Sequence, residues 1–420
     1  VTWPIVPLSE LLASPLANGR SVPTQAGGFP VLRLTALRNG TIDLNERKGG
    51  AWTREDAERF LVRAGDFLIA RGNGSLNLVG RGGLVGSDPD LVAFPDTMIR
   101  VRPDTTRLEP RYLAAAWTAP ATRTQIEDSA RTTAGIYKIN QAHLGAIRIP
   151  VPPLAEQRRV VELVADHLSR LDAADVQLAV GLHRVDSLRV ASMRRALGAQ
   201  PDWEVAPIGN WLDSSIGGLW GNPPGTDEID VRVVRVTEMK AWGRIAPGTA
   251  AVRSITARQL AGRALEEGDL LLEKSGGGPK TPVGRVGLIE SLPEPSICAN
   301  FMQLMRPDRS RVNPRFLYYT LNAFHLSGGT APMQTASTNI RNIKASEYLR
   351  VEVALPSLEQ QERLVTQIQA EQDAADRLAR AVVAMQIRNA GLRRSLLAAA
   401  FSGRLSAGRW DLYRDQEAAE

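Results

Sequence analysis

A ten-residue pattern occurs twice in this chain. Pro152-Pro153-Leu154-Ala155-Glu156-Gln157-Arg158-Arg159-Val160-Val161 returns 204 residues later as Pro356-Ser357-Leu358-Glu359-Gln360-Gln361-Glu362-Arg363-Leu364-Val365. The register holds beyond it. Trp3-Pro4-Ile5-Val6-Pro7-Leu8 matches Trp203-Glu204-Val205-Ala206-Pro207-Ile208, and Leu32-Arg33-Leu34-Thr35 matches Val234-Arg235-Val236-Thr237. Gly65-Asp66-Phe67-Leu68 matches Gly268-Asp269-Leu270-Leu271, and Arg102-Pro103-Asp104 matches Arg306-Pro307-Asp308. A period near half of 420 residues means two copies of one unit, not a solenoid of short repeats. Two such copies can pack about a pseudo-two-fold axis, as a homodimer does about a true one. The copies agree at apolar, Gly and Pro positions. They differ between Arg71 and Val79 and between Lys274 and Val283, as a shared scaffold with divergent surfaces would.

The spacing within the repeat predicts four blocks. Residues 1–152 and 199–355 carry short apolar runs such as Phe67-Leu68-Ile69-Ala70 and Ala146-Ile147-Arg148-Ile149, which read as strands. Turn signals such as Asn39-Gly40 separate them. Helices are expected over Arg54 to Val62 and from Pro110 to Ala116, where proline suits the first turn. Blocks 153–198 and 356–405 contain no proline once their helices begin. In the first, Leu154, Val161, Leu168, Asp175 and Leu182 recur every seven residues, with Val164, Leu171, Leu178 and Val185 displaced by three. That is a coiled-coil heptad, on a helix about 60 Å long. In the second, Leu364, Ile368, Ala375, Leu378, Val382, Met385, Leu392 and Leu396 are expected in the seam, with Glu371 and Asn389 as polar interruptions. Polar seam residues set register at some cost in stability. The fold class expected is α+β: two mixed α/β domains separated by two long helices packed as an antiparallel coiled coil, a pseudo-two-fold tandem repeat. Residues 406–420 read as a polar tail.

This arrangement suits a target with two-fold symmetry of its own, and duplex DNA has it locally. Two reading heads on a rigid spacer would meet separate major-groove segments, with the spacer setting the gap. The net charge of +6 fits a polyanionic partner and fits an ordinary basic soluble protein as well. One cysteine, Cys298, excludes a disulfide framework and a Cys-based zinc site. No apolar run approaches the roughly 20 residues of a membrane span, and the N-terminal residues lack a signal-peptide pattern. No membrane contact and a cytoplasmic setting are expected.

Enzymatic signals are poor. Asn222-Pro223-Pro224-Gly225 has no aromatic ring to stack on a flipped base and reads as a turn. Gly278-Pro279-Lys280-Thr281 lacks the Gly before Lys and the following helix of a phosphate loop. Asp202 lies in a linker, so it is not expected to converge with Glu238. His143, His167, His183 and His325 show no metal spacing. No catalytic residue, cofactor or metal is expected.

Contacts to DNA are expected from side-chain chemistry. Arg and Lys pair with guanine, Asn and Gln with adenine, Ser and Thr with base or phosphate. In the first copy the candidates are Arg71, Asn73, Ser75, Asn77 and Arg81, then Thr132, Thr133, Tyr137 and Lys138. In the second they are Lys274, Ser275, Lys280, Thr281 and Arg285, then Thr335, Ser337, Thr338, Asn339, Arg341 and Lys344. Arg81 and Arg285 occupy matching positions and read as shared phosphate or structural contacts. Any one of these residues alone is as well explained by a solvated loop. Outward helix charges, among them Arg158, Arg184, Arg363 and Arg388, could dock partners or simply face water.

Taken in order along the chain, these residues resemble the specificity subunit of type I restriction-modification systems. The likeness rests on the paired Pro-x-Leu-x-x-Gln motifs, the Gly-Asp-Phe-Leu and Gly-Asp-Leu-Leu segments, Ser275 to Arg285, and the ending Ala400-Phe401-Ser402-Gly403-Arg404-Leu405. It spans nearly the whole chain. It implies that 1–152 and 199–355 are target recognition domains, each reading half of a split double-stranded DNA sequence. It implies long helices that bind two methyltransferase (modification) subunits, restriction subunits joining that core, and no catalysis by this chain. One departure is Thr132-Thr133-Ala134-Gly135 against Ala336-Ser337-Thr338-Asn339, so contacts there need not match. Two rival readings are a structural adaptor with protein-binding heads on a coiled-coil ruler, and a methyltransferase or nuclease acting alone.

Overall fold

Two helices, Leu154–Ala196 and Leu358–Phe401, run for 43 and 44 residues. Both are rich in Leu, Ala and Arg, strong helix formers, and both lack proline. The computed structural model describes residues 3–87, 89–133, 135–198, 200–277, 282–337 and 340–405. The contacts divide the chain into two units, Val1–Ala179 with Val383–Glu420, and Val180–Val382. Each unit mixes strands with helices and holds part of both long helices.

In the first unit a six-stranded sheet runs in the order Leu12–Asn18, Met98–Pro103, Phe67–Ala70, Gly82–Leu84, Thr41–Ile42, Leu37–Arg38. All four residues of Phe67–Ala70 are buried because the sheet is covered on both faces. Phe67 and Ile69 face one cluster with Tyr112, Leu113 and Trp117. Leu68 faces another with Leu32, Phe94 and Met98. The first cluster also takes in Val160, Val161 and Val164 of one long helix and Leu397, Ala400 and Phe401 of the other. Tyr112 stacks edge-on against Phe401 at 5.2 Å and donates its hydroxyl to the Pro150 carbonyl at 2.9 Å.

Two sequence expectations shift here. The helix expected over 54–62 is α-helical only at Arg54–Ala57, with a 3₁₀ turn at Glu58–Phe60. Thr53 caps its start by accepting from the Asp56 amide at 3.1 Å. The chain then leaves the helix because the Val62 amide donates to the Val92 carbonyl at 3.1 Å. The strand expected at 146–149 is Arg148–Pro150, because Ala146 ends a helix capped by the Asn140 side chain.

The second unit has a four-stranded sheet ordered Leu212–Gly217, Met302–Pro307, Leu270–Glu273, Val286–Leu288. Beside it lies a three-stranded sheet of Ala251–Ile255, Ile229–Val234 and Ser296–Cys298. The helix Pro314–Leu326 covers the first sheet. Its proline sits in the first turn, and the Asn313 side chain accepts from the Arg315 and Phe316 amides.

The recurring motifs acquire physical roles. In each Gly-Asp pair the glycine is left-handed, with φ of +83° at Gly65 and +88° at Gly268, so no Cβ is tolerated without strain. The aspartate that follows is buried and takes a bidentate pair from an arginine on the neighbouring strand. Asp66 receives Arg102 at 2.7 Å twice, and Asp269 receives Arg306 at 2.8 and 2.7 Å. The glutamine of each Pro-x-Leu-x-x-Gln is a fully buried clamp. Gln157 accepts from the Glu109 amide and donates to the Arg107 and Pro152 carbonyls, all at 2.8 Å. Gln361 accepts from the Asn313 amide at 2.8 Å and donates to Arg311 and Pro356 at 3.1 and 2.8 Å. Each clamp ties the start of a long helix to the loop and helix before it.

Within each unit the long-helix segments pair antiparallel. In the first, Val160 and Val164 pack with Leu397 and Phe401, while Leu171 and Asp175 meet Asn389, and Asp172 meets Arg393. In the second, Arg189 bonds Gln372 at 3.2 Å and Asp376, Ser192 bonds Glu371, and Arg195 bonds Glu371 at 3.0 Å. The polar interruptions Asp175, Glu371 and Asn389 therefore all have partners across the seam. The expected stripe on the second helix needs a correction. Leu378, Met385 and Leu392 are 54%, 56% and 52% exposed. The row facing the first helix is one residue later: Gln372, Ala379, Gln386 and Arg393, beside Ala375, Val382, Asn389 and Leu396. Gln372 and Arg393 make cross-helix bonds on this face, and an apolar tally cannot register them.

Candidate nucleic-acid interface

Loops far apart in sequence meet in one small sheet in each unit. In the first, Arg131–Thr133, Ile136–Lys138 and Gly72–Asn73 pair in that order. Tyr137 lies opposite Asn73, Lys138 opposite Gly72, and Arg131 opposite Lys138. The Ile139 amide donates to the Arg71 carbonyl at 2.9 Å and anchors the sheet to the core. In the second, Ser275–Gly276, Ile340–Ile343 and Gln334–Ser337 pair, with Ser275 opposite Asn342 and Thr335 opposite Asn342 on the other side. Here the Ile343 amide donates to the Lys274 carbonyl at 2.8 Å.

The expected contact residues separate into three groups. Arg71, Ser75, Asn77, Arg81, Thr132 and Lys138 are exposed, and Asn73 and Tyr137 are half-buried. Asn73 accepts from the Ser75 amide at 3.0 Å, which tightens its own turn. In the second unit Lys274 and Ser275 are half-buried, Thr335 is exposed, and Arg341 leans on Gln334 at 3.4 Å. Lys344 is exposed and pairs with Glu347 at 3.0 Å. Arg285 is committed elsewhere: it grips the buried Glu273 at 2.7 and 3.1 Å. Among the described residues its counterpart Arg81 has no such ion pair, and Ala70 stands where Glu273 does. Lys280, Thr281, Thr338 and Asn339 lie outside the described residues, as do the side chains of Thr133 and Ser337 and the tail 406–420.

Sequence reasoning passed over Arg131 and Asn342. Arg131 adjoins Thr132 and faces Lys138 across the hairpin. Asn342 accepts the Ser275 hydroxyl at 2.7 Å and sits between Arg341 and Lys344, both of which were selected. Counting the whole strand rather than its charged members would have found it.

Cys298, His325 and Glu238 each have a structural setting. Cys298 is buried, and burial pushes its thiol up to about 12, far from a reactive thiolate. Burial lowers the His325 imidazole, whose Nδ1 lies 2.8 Å from the Thr330 hydroxyl. Glu238 is buried on Arg235. Asn222 to Gly225 form a turn closed by an Asn222–Asp227 bond of 2.8 Å. Among the described residues no cluster of three or more His, Cys, Asp or Glu could hold a metal. No described helix is long and apolar enough to cross a membrane.

No family model matches the chain. It is 29% identical over 190 residues to the type I restriction enzyme EcoKI specificity subunit of Escherichia coli, covering 44% of this chain and 41% of that one. It is 30% identical over 167 residues to the StySPI specificity subunit of Salmonella potsdam, covering 40% and 36%. The matched region thus spans about two fifths of the length of these two relatives. A third likeness, to the putative MjaX specificity subunit of Methanocaldococcus jannaschii, is 20% identical over 395 residues, 88% of this chain and 87% of that one. Among solved structures the fold is similar to a chain from a study of complex assembly in the type I R-M system, with a TM-score of 0.72, 20% identity and coverage of 96% and 98%. It is also similar to the HsdS subunit of Thermoanaerobacter tengcongensis, with a TM-score of 0.54, 20% identity and coverage of 96% and 97%. With the two clamped helices and the paired Gly-Asp frameworks in place, the sequence likenesses are to type I restriction enzyme specificity subunits, and the fold is similar to that of solved chains from type I restriction-modification systems.

Proposed function

We propose that this chain is the non-catalytic DNA-recognition subunit of a type I restriction-modification complex. Residues 1–152 and 199–355 serve as target recognition domains related by a pseudo-two-fold tandem repeat. Each reads one half of a split duplex target. Residues 153–198 and 356–405 form the helical scaffold on which two methyltransferase subunits assemble, with restriction subunits joining that core in the cytoplasm. The observation that carries the reading is the small sheet in each unit. It gathers Arg71, Asn73, Thr132, Tyr137 and Lys138 in one case, and Lys274, Ser275, Thr335 and Arg341 in the other. Such side chains supply donors and acceptors for base edges and phosphates together. Matched frameworks with unlike surface residues are what two different half-targets require.

The test is binding to duplexes by the chain assembled with its methyltransferase subunits. Affinity should favour one split sequence and fall steeply with salt. Exchanging residues 1–152 for another recognition domain should change one half of the target and leave the other. A flat salt response, or equal affinity for all duplexes, contradicts the reading.

A further inference from the structure

We propose that a pocket in the second unit, between Trp220 and Phe301, receives the 5-methyl group of a thymine in the half-target this unit reads. The inference rests on the DNA-reading function above and adds the residues and the base chemistry.

The pocket holds about 410 Å³ and is walled by Trp220, Val236, Ala299 and Phe301, with Arg235, held by Glu238, beside them. Asn300 and Thr237 stand exposed at its rim. It adjoins the small sheet directly, because the Phe301 carbonyl accepts the amides of Lys274 at 3.0 Å and Ser275 at 3.2 Å. Phe301 is 46% exposed, so a large apolar ring is left in water beside cationic residues. The Arg253 guanidinium lies 4.3 Å from the Trp220 ring centroid and backs that wall with positive charge. Glu238, next to the lining residue Thr237, and Glu273, next to Lys274, are buried and each gripped by an arginine. Lys274 donates to the Gln303 side chain at 3.5 Å and Lys240 to the Thr237 carbonyl at 2.7 Å, so both keep their positive charge beside the pocket, which complements a phosphate backbone.

An apolar pocket within a cationic surface selects among bases in one way. Thymine alone presents a methyl group in the major groove, and side chains such as Phe and Ala read it by contact. The Asn300 amide suits the adenine paired with it.

The first unit has the same backbone arrangement with different chemistry. The Thr97 carbonyl accepts the Arg71 amide at 2.9 Å, as Phe301 accepts Lys274. A Cβ on Gly19 would sit 2.0 Å from the Pro95 carbonyl oxygen, and one on Gly218 would sit 2.0 Å from that of Ala299. Asp96 and Thr97 thus occupy the places of Asn300 and Phe301. Apolar reading at this position belongs to the second unit.

The experiment uses the chain assembled with its methyltransferase subunits, on the target found by sequencing genomic methylation with and without this gene. Competition binding compares the natural duplex, a scrambled duplex, and duplexes in which each thymine in turn is replaced by deoxyuridine. The expected result is about a fourfold loss at one thymine of the second half-target, the equivalent of one buried methyl. Phe301→Ala should bind thymine and deoxyuridine equally there, Phe301→Leu should keep part of the difference, and sensitivity in the other half-target should not change. A second half-target without a thymine-sensitive position overturns the pocket assignment. So does Phe301→Ala with the fourfold difference intact. Failure of the wild-type complex to prefer its target over the scrambled duplex would overturn the DNA-reading function itself, and the pocket with it.

Discussion

Replacing Gln361 with leucine tests whether the long helices are bolted to the domains before them by one side chain. Leucine fills nearly the same volume, so the change removes hydrogen bonding and leaves little cavity. Three bonds are lost, from the Asn313 amide and to the Arg311 and Pro356 carbonyls. Gln361 is fully buried, so water cannot replace them without opening the site. At a net contribution of about 1 kcal/mol each, the loss is about 3 kcal/mol, or roughly a hundredfold in the local opening equilibrium. Hydrogen exchange read by mass spectrometry measures that equilibrium directly. Peptides covering 311–317 and 356–364 should exchange roughly a hundredfold faster. Peptides around Gln157, whose clamp belongs to the other unit, should not change and serve as the internal control. Gln361→Glu should be at least as damaging, since a carboxylate keeps the acceptor but turns the donor against two carbonyl oxygens. An acceleration below threefold in Gln361→Leu would refute the clamp.

Three further outcomes are expected. Trp242 adopts a left-handed φ of 60° at the place where the first unit has Asn39, at 48°, in its Asn-Gly turn. Its ring packs near Met193 and Tyr319 and under the Arg189 guanidinium at 5.5 Å, so Trp242→Asn should relieve backbone strain yet lower stability by about 2 kcal/mol in urea titration. Burial pushes the Glu238 carboxyl up, but hydrogen bonds from Arg235, Thr249 and Thr237 outweigh it and bring it to about 2. A depressed carboxylate stabilises the fold above its unfolded value near 4.5 and loses that contribution as pH falls toward 2. Glu238→Gln should therefore flatten the acid side of the stability profile over that window, and an unchanged slope counts against the pairing. Arg285→Ala strands the buried Glu273 and should cost about 3 kcal/mol of stability, whereas Arg81→Ala should spare stability and reduce the salt slope of DNA binding by about one. Equal effects of the two on stability would show that matching positions carry matching roles.

Much of this protein is legible in its sequence, and the legible parts are local or repeated. The proline-free runs mark the long helices within a few residues because helix propensity and heptad spacing act over neighbouring turns. Glycine at 65 and 268 follows from a left-handed backbone. The doubled Pro-x-Leu-x-x-Gln marks where each long helix begins, although nothing in it names Arg107, Glu109, Arg311 or Asn313 as the groups its glutamine holds. Aligning Trp242-Gly243 with Asn39-Gly40 would have exposed the strained tryptophan, which no usual turn dipeptide signals.

What the tertiary structure decided lies across distance in the chain. It joined the loop at 72–73 to the hairpin at 131–138 through backbone pairing, which carries no side-chain signature. It turned Leu378, Met385 and Leu392 outward and gave Gln372 and Arg393 polar partners across the seam, and hydrophobic counting is blind to such partners. It assigned Arg285 to a buried carboxylate while its twin Arg81 stayed in solvent, a difference set by one residue on an adjacent strand. Local propensity and periodicity are written into neighbouring residues. The partner a side chain meets depends on the path of the whole backbone, and only folding settles that path.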